Sequence, residues 1–475
     1  MILWYVLSRR KGKTGSPLPV RSTGTPASHH PPIGVRKTTA SFVPGIPADF
    51  QMTAEFAHAL DLMENGKQHM FITGKAGTGK STLLHYFKLN TKKKVVVVAP
   101  TGIAAINVGG STIHSFFRLP PRLITKDDVK QIRSKRDLFR SLDAVVIDEV
   151  SMVRADLMDA VDESLRLNCK NPNEPFGGVQ MILIGDLYQL PPIVDSALKD
   201  YFDDNFDSPF FFSSKVFEQV EIMKLELNRV FRQTDQEFIQ LLNKVRNNRV
   251  SKRDIGILNK RHDRTALPET DLAITLTTTN ALASEINQDR LDSLPYQDHF
   301  YEAVVTGAFD AKSFPTDQRL RLRKGAQVMM VKNDPDKRWV NGTLGVIEDL
   351  SQGSIQVSFG GSRCQIQQTV WDKIDYEYDP EKNKIEPVVI GSFRQYPVKL
   401  SWAITVHKSQ GKTFEKVTLD LGNGAFAHGQ AYVALSRCKS FEGLRLRTRV
   451  KLTDIILDER VVEFLSDAAV YGDSG

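Results

Sequence analysis

The 475-residue chain is poor in cysteine, with three scattered residues, Cys169, Cys364 and Cys438, and no C-x-x-C pair. So few isolated cysteines argue against a disulfide framework and a structural zinc site, and they indicate a reducing compartment. Long apolar runs are also missing, because residues 1–7 are far too short to cross a bilayer and no later run is longer. No association with a membrane is therefore expected.

Acidic residues are absent from residues 1–48, which contain seven lysines and arginines. Outside that segment 56 basic residues face 56 acidic ones, so the net charge of +7 comes entirely from it. Bulk charge therefore gives no argument for a nucleic-acid partner, and any binding groove must be local. Residues 1–49, rich in Pro, Ser, Thr and Gly, are predicted to be a disordered basic tail. A targeting segment and a wrongly assigned start both stay open.

The strongest signal lies in residues 71–84, which read FITGKAGTGKSTLL. An apolar run, a G-x-x-x-x-G-K-S loop and a helical pattern follow one another, which is the context of a phosphate-binding loop. The glycines let backbone N–H groups surround phosphates, and the helix directs its positive end toward them. Lys80 is expected to reach the β- and γ-phosphates and Ser81 to hold Mg²⁺. The predicted nucleotide contacts are Gly74, Gly77, Thr78, Gly79, Lys80, Ser81 and Thr82.

Later apolar strands also end in polar groups, as ligand sites in α/β sheets do. Residues 94–99 lead into Pro100-Thr101-Gly102, and residues 144–147 lead into Asp148 and Glu149. Asp148 is expected to hold Mg²⁺ and Glu149 to orient or deprotonate a water, although two solvated acids are the alternative. Residues 181–184 precede GDLYQLPP, where the amide of Gln189 can sense a γ-phosphate.

The second half of the chain predicts a second α/β unit with a β insertion. Helical spacing covers residues 238–245, a strand 273–278 and a helix 280–291, whereas residues 326–360 alternate and carry turn signals. Strand-like residues 398–406 then reach HKSQGKT, and another strand at 417–421 precedes a helix from Ala431. The predicted fold class is α/β with parallel sheets.

Seven segments in order resemble the motifs of superfamily-one helicases: GKAGTGKST, APTGIAAINVGGSTIHSFF, VVIDEVSM, LIGDLYQLPP, NRVFRQ, ITVHKSQGKTF and AYVALSRCKSFEGL. They are most similar to the Pif branch, bacterial members included, with RecD-like helicases as nearest neighbours. The resemblance covers residues 50–460 and implies two RecA-like P-loop domains, at 50–224 and at 225–325 with 396–466. It also implies a small wedge at about 118–140, an SH3-like insertion at 326–395 and a flexible end at 467–475.

The same resemblance assigns roles across the predicted cleft. Arg232 and Arg437 resemble two arginine fingers, and Gln410 and Gly411 are expected beside the nucleotide. Phe56 stands where many relatives carry an adenine-reading glutamine, so selectivity for the base is open. Motifs that contact DNA in the family contain Thr101, Gly102, His114, Ser115, Phe116, His407 and Lys408.

Some of these residues have a plainer interpretation. Phe116 and Phe117 are either groove aromatics, Phe116 stacking on a base, or members of a core, since buried phenylalanine is common. His114 and His407 fit a DNA groove better than a metal site, because no cluster of Cys, His and carboxylate accompanies them. Trp339 either stacks on a base or caps the small β region, and the second is favoured.

The implied function is an ATP- and Mg²⁺-dependent DNA helicase that moves 5′ to 3′ on single-stranded DNA. It would open duplex junctions as a monomer in DNA repair, recombination or replication, including telomere maintenance. An ATPase that remodels RNA or protein is the alternative; a binding module without turnover is disfavoured by Glu149, Arg232 and Arg437. A cytoplasmic protein of bacterial type is expected, or a nuclear or mitochondrial one if the source is eukaryotic.

Overall fold

The structure is a computed structural model that describes residues 52–229, 235–263, 265, 272–422, 424–466 and 469–470. The predictions for residues 1–49 and for Arg232 lie outside these described residues. Within them, no helix combines the length and the apolar character that crossing a membrane requires.

A parallel sheet occupies the first half of the described chain. Its strands are β1 (His69–Gly74), β2 (Val95–Ala99), β3 (Ser111–Thr112), β4 (Ala144–Ile147), β5 (Gln180–Ile184) and β6 (Ile222–Leu227). They run in the order β6-β1-β5-β4-β2-β3, and every pairing is parallel. Apolar, largely β-branched runs suit such strands, since both faces of the sheet are covered. Val96 and Val98 pack into one core of this domain and Val97 into the other.

The helices of this first domain are α1 (Ala54–Asn65), α2 (Lys80–Asn90), α3 (Gly102–Val108), α4 (Ile113–Phe116), α5 (Arg136–Ser141), α6 (Ala155–Asn168) and α7 (Lys199–Asn205). Thr53 caps α1, because its Oγ1 accepts a hydrogen bond from the Phe56 N–H at 3.2 Å. Phe56 itself is fully buried with α1 and α2. Its ring therefore belongs to a core, and the position offers no amide to a base.

The second half begins with α8 (Gln236–Arg246), α9 (Lys252–Asn259), β7 (Ile274–Thr277) and α10 (Asn280–Asp292). An antiparallel region over residues 299–400, called the β insert below, follows at once. Its strands are β8 (His299–Glu302), β9 (Val304–Gly307), β10 (Arg319–Leu322), β11 (Gln327–Met330), β12 (Leu344–Ser351), β13 (Ser354–Phe359), β14 (Ser362–Ile366), β15 (Thr369–Asp379), β16 (Lys384–Gln395) and β17 (Val398–Leu400). They form sheets in the orders β14-β13-β12-β11-β17, β15-β16-β9 and β10-β8.

The second parallel sheet closes the chain. Its later strands are β18 (Ala403–Thr405), β19 (Val417–Asp420) and β20 (Leu444–Leu446), and its order is β18-β7-β19-β20. Helices α11 (Gln430–Leu435) and α12 (Glu459–Phe464) and the short strand β21 (Ala469–Val470) complete the described elements. Two parallel sheets with helices confirm the predicted α/β class.

Several predicted boundaries are wrong. The first domain continues past residue 224, because β6 pairs with β1 along its whole length. The β insert begins at His299 and not at residue 326, because β9 pairs with β16. Part of the predicted flexible end forms β21, which adds to the first sheet beside β6. The predicted strand 398–406 is two strands of different sheets, divided at Ser401 and Trp402.

The hairpin β15–β16 reaches from the β insert to the first domain. The Tyr376 hydroxyl accepts a hydrogen bond from the Val97 N–H at 3.2 Å and donates one to the Val97 carbonyl at 3.1 Å. Lys135, in segment 118–140, forms an ion pair with Asp375 of the hairpin. The segment also packs on α6, where the Ile132 N–H donates to Asn168 Oδ1 at 2.7 Å. Segment 118–140 is thus held between the first domain and the β insert.

Candidate functional site

The phosphate-binding loop joins β1 to α2. Gly74, with φ of 154°, ends the strand where an added Cβ would lie 2.6 Å from the Leu227 carbonyl oxygen. Gly79 precedes α2 with φ of 85°, a left-handed conformation that suits glycine. The Lys80 ammonium donates to the carbonyls of Gly74 at 2.6 Å and Lys75 at 3.2 Å. This amine lies over the loop that would receive phosphates, with Ser81 and Thr82 following in the first turn of α2.

Two adjacent acids follow β4. Asp148 is only 7% exposed, and burial together with its neighbour Glu149 raises the pKa of Asp148 to about 7. Burial raises the pKa of Glu149 as well, while Lys80 and Arg437 oppose that shift. A buried and a half-buried carboxylate side by side favour a bound cation, since an unpaired buried charge is costly. Carboxylate and hydroxyl oxygens are the ligands Mg²⁺ prefers, so Asp148 and Ser81 fit this ion.

The loop after β5 holds the predicted sensor. Gln189 donates from Nε2 to Asp186 Oδ2 at 3.0 Å, and its N–H donates to the Asp186 carbonyl at 2.9 Å. Arg246, the last residue of α8, enters from the second domain with Nη2 3.6 Å from Asp186 and 3.3 Å from Glu226. Its guanidinium also lies 4.0 Å from the centre of the Tyr188 ring. Asp186 therefore connects the sensor glutamine to the second domain.

Other contacts from the second domain reach the nucleotide loops directly. Gln410 donates from Nε2 to Glu149 Oε2 at 3.1 Å, and the Ala76 N–H donates to the Tyr432 hydroxyl at 3.4 Å. Arg437 is almost completely buried, with Nε donating to the Val433 carbonyl at 2.8 Å and Nη1 to the Lys412 carbonyl at 3.3 Å. The Arg437 guanidinium lowers the pKa of Glu149, against the effect of burial. The site is therefore built from both domains.

The residues predicted to contact DNA occupy several loops. Thr101 caps α3, its Oγ1 accepting from the Ala104 N–H at 3.2 Å, and Gly102 lies so close to Ser313 that an added Cβ would clash. Ser115 lies in α4, where its N–H donates to Thr112 Oγ1 at 3.1 Å. Partial burial lowers the pKa of the two predicted groove histidines and of the lysine beside one of them: His114, His407 and Lys408.

The prediction that Phe116 stacks on a base is wrong for this structure. Its ring is fully buried and packs edge-on against Phe117 at 4.9 Å between centroids, and in a tilted arrangement against Phe139 at 5.2 Å. Phe117 belongs to the same core, which settles its two interpretations. Trp339 caps the β insert, as favoured, because it is buried and stacks on Phe359 at 5.4 Å.

Three site residues were missed from sequence. Arg246 ends an amphipathic helix, where a charged residue normally faces water. Tyr432 was noted only as part of a helix, and Tyr376 only as part of a β region. Tyr432 and Tyr376 bond residues that are 356 and 279 positions away, and Arg246 reaches Asp186 from the other domain, so no local pattern marks them. Among the described residues, no group of three or more His, Cys, Asp or Glu side chains is arranged to hold a metal ion.

Comparison with known proteins fits this two-domain site. The family model "PIF1-like helicase" matches residues 51–255, and "DNA helicase Pif1, 2B domain" matches residues 308–350. A relative from Bdellovibrio bacteriovorus, "ATP-dependent DNA helicase Pif1", is 31% identical over 430 residues, which cover 88% of this chain and 92% of that protein. The chain belongs to the PIF1-like helicase family.

The similarity extends to relatives of greater length and to solved structures. "ATP-dependent DNA helicase PIF1" of Danio rerio is 34% identical over 90% of this chain, which spans 64% of that relative's length. Bacteroides sp Pif1 in complex with ADP-AlF4 is 36% identical, with a TM-score of 0.80 over 88% of this chain and 97% of that one. Bacteroides Pif1 bound to ssDNA has the same identity and coverage, with a TM-score of 0.63. The likeness confirms two RecA-like domains.

Proposed function

We propose that this family member is an ATP-dependent DNA helicase. The observation that carries the proposal is the hydrogen bond of Gln410 to Glu149, since it makes the acidic pair of the first domain part of a site completed by the second. Such a site changes whenever the domains move, which is what a motor requires. The names of the relatives, and the Bacteroides structures with ADP-AlF4 and with ssDNA, support the same function.

ATP and Mg²⁺ are the proposed cofactors. The loop around Lys80 would hold the triphosphate, and Ser81 and Asp148 would hold Mg²⁺, which supplies charge neutralisation for the phosphates. The two adjacent carboxylates would gain a counter-charge in this way, and the cation would oppose the burial that raises the pKa of Asp148. Phe56 makes no contribution to reading the base, so selectivity rests on other residues.

Each residue of the site would have a separate role in ATP hydrolysis. Glu149, as the carboxylate, would accept a proton from the attacking water, and Gln410 holds its Oε2 in place. Gln189, fixed on Asp186, would donate its amide to a γ-phosphate oxygen. Arg437 and, from outside the described residues, Arg232 would stabilise charge that develops during transfer.

Single-stranded DNA is the proposed track, with movement from 5′ to 3′. The loops of Thr101 and Gly102, of His114 and Ser115, and of His407 and Lys408 would form its path over both domains. Contacts to backbone phosphates would make binding tolerant of sequence. Segment 118–140, held between the first domain and the β insert, would stand at the duplex junction. The helicase is proposed to act as a monomer.

The test is an unwinding assay with the full chain. A duplex with a 5′ single-stranded tail should open with ATP and Mg²⁺, and one with a 3′ tail should not. Glu149→Gln serves as the control that binds ATP without turnover. Preferential opening of the 3′-tailed duplex would overturn the direction, and hydrolysis stimulated by RNA but not by DNA would overturn the helicase in favour of an RNA-remodelling ATPase.

A further inference from the structure

His428 lies where the second domain touches the loop after β5. This loop, residues 185–190, contains the predicted sensor Gln189 and is called the sensor loop below. His428 Nε2 lies 2.7 Å from the Leu187 carbonyl oxygen, and the residue is only 7% exposed. Its ring also packs edge-to-face with Phe210 of the first domain, at 5.7 Å between centroids. A buried imidazole of the second domain therefore contacts the backbone beside the sensor.

The other ring nitrogen of His428 fixes the tautomer. The Asp458 N–H donates to Nδ1 at 2.9 Å, so Nδ1 carries a lone pair and the proton lies on Nε2, which donates to the Leu187 carbonyl. Burial lowers the pKa of His428, against the opposing effects of that carbonyl and of the Asp458 and Asp186 carboxylates. The neutral imidazole is thus the form that joins the sensor loop to the segment before α12.

The backbone next to His428 approaches the same loop. A Cβ added at Gly429 would lie 2.4 Å from the Tyr188 carbonyl oxygen and 2.5 Å from that of Gln189. Together with the bond from His428, three successive carbonyls of the sensor loop lie against residues 428 and 429. The Gly429 N–H donates to the Ile456 carbonyl at 3.1 Å, which anchors this pair within the second half of the chain.

The sensor loop is a tight turn, so a bond to Leu187 also holds Gln189. The Gln189 N–H donates to the Asp186 carbonyl at 2.9 Å, and the Tyr188 N–H donates to Asp186 Oδ1 at 3.2 Å. These two bonds close the chain around Leu187. Displacement of the Leu187 carbonyl would therefore move the amide that would meet the γ-phosphate.

A purely structural role for His428 explains less. Buried polar groups are normally hydrogen-bonded, and loss of either bond of the imidazole would cost stability. The two nitrogens, however, hold different parts of the molecule: Nδ1 holds the segment before α12, and Nε2 holds the sensor loop. With a structural role alone, kcat would follow stability whichever nitrogen is lost.

We propose that His428 is a positioning residue for ATP hydrolysis, which sets Gln189 through the bond from Nε2 to the Leu187 carbonyl when the two domains meet. The inference rests on the proposed function, because Gln189 acts on a γ-phosphate only in a nucleotide hydrolase. Opening of the domains would release the Leu187 carbonyl, so the sensor would be in place only in the closed arrangement.

Two variants separate the two nitrogens. His428→Gln keeps an amide N–H near the position of Nε2, and His428→Asn keeps an acceptor near that of Nδ1. In ATPase assays of the full chain with saturating oligo-dT, His428→Asn should lower kcat about tenfold, the order of magnitude of one lost buried hydrogen bond, and His428→Gln should stay within about twofold of wild type. His58→Gln, at an exposed histidine of α1, is the matched control.

A double variant shows whether the effect passes through the sensor. Gln189→Ala should lower kcat by itself, and His428→Asn added to it should lower kcat no further, because residues that act through one another are not additive. ADP has no γ-phosphate, so the affinity of His428→Asn for a fluorescent ADP analogue should equal that of the wild type. The Tm of each variant is measured in parallel.

Three results would overturn the inference. Equal kcat in His428→Asn and His428→Gln, or kcat that follows Tm, would make His428 structural only and leave the proposed function intact. Additive losses in the double variant would show that His428 does not act through Gln189. No hydrolysis by the wild type would remove the proposed function and this inference with it. If His428→Asn does not fold, His428→Gln decides, since a kcat as low as that of Gln189→Ala contradicts the role of Nε2.

Discussion

Gln410 Nε2 donates a hydrogen bond to Glu149 Oε2 at 3.1 Å, and so joins the second domain to the acidic pair of the first. This bond favours the ionised form of Glu149, against burial, which raises its pKa. A residue of the opposite domain therefore lowers the pKa of the carboxylate that would accept a proton from water. Separation of the domains would remove both the hydrogen bond and its effect on this pKa.

Loss of this bond should shift the pH dependence of hydrolysis. In Gln410→Ala the pKa of Glu149 should rise further, so kcat should fall more steeply as the pH decreases, and its acidic limb should move to higher pH. Steady-state DNA-stimulated ATPase assays between pH 5.5 and 9 measure this. Gln68→Ala, an exposed glutamine beside β1, is the control. If the acidic limb of the kcat profile does not move, Gln410 does not lower the pKa of Glu149.

Lys80→Ala should abolish hydrolysis and weaken ATP binding, because the amine lies over the phosphate-binding loop. Glu149→Gln should bind ATP like the wild type while hydrolysis falls by 10² or more, about the contribution of a general base. Nucleotide binding is followed with a fluorescent ATP analogue and turnover by phosphate release. Near-normal turnover in either variant would contradict the assigned roles.

Arg437→Lys should lower kcat with little change in nucleotide affinity, since an ammonium cannot reproduce the two-pronged geometry of guanidinium. The contribution of an arginine finger is on the order of 10³–10⁵ in rate. Lysine is chosen over alanine because the Arg437 side chain also bonds Val433 and the Lys412 carbonyl. Arg232→Lys tests the second predicted finger in the same assay, and a normal kcat in either variant removes that residue from the role.

Asp148 should destabilise the metal-free protein at neutral and basic pH. Its pKa rises from 3.8 to about 7 on folding, so ionisation costs folding free energy progressively as the pH increases from about 4 to 7. Asp148→Asn should therefore have a higher Tm than the wild type in EDTA at pH 8, by about 2–4 °C per kcal/mol, and the gap should narrow at pH 5. Differential scanning calorimetry measures both.

Mg²⁺ supplies the complementary arm of that experiment. Adding it should raise the Tm of the wild type and not that of Asp148→Asn, because only the wild type offers the carboxylate ligand. Asp137→Asn, at an exposed acid in α5, should behave as the wild type throughout. A lower Tm for Asp148→Asn at pH 8 would contradict the assigned cost of burial.

Arg246 should matter to both stability and turnover. Arg246→Leu leaves the buried Asp186 without its cation, and breaking a buried ion pair in this way costs about 3–5 kcal/mol. Asp186 also holds Gln189, so kcat should fall as well. Arg246→Lys keeps the charge and should recover most of the stability. Urea unfolding and ATPase assays on the two variants give the comparison, and equal stability of Arg246→Leu and the wild type would count against the pair.

The sequence predicted what is encoded locally. The loop at Gly74–Ser81, the acids after β4 and the loop at Gln189 follow apolar strands, and those strands form the sheet expected of them. Phe116 was misassigned because its burial depends on α5 and on the hairpin that carries Tyr376, and that hairpin lies far along the chain. The break at Ser401 went unseen since the residues on both sides are strand-like, and only the choice between two sheets separates them.

That break has a mechanical consequence. Only Ser401 and Trp402 separate β17, in the sheet of the β insert, from β18, in the second parallel sheet. Each is tied in place: the Ser401 N–H donates to the Gln327 carbonyl at 3.1 Å, and the Trp402 carbonyl accepts from the Thr275 N–H at 2.8 Å. Because this two-residue connection is short and held by hydrogen bonds at both residues, displacement of the β insert would be transmitted along the backbone to the loop of His407 and Gln410. Movement of the β insert would then reach Glu149 through the hydrogen bond of Gln410, within one short stretch of chain.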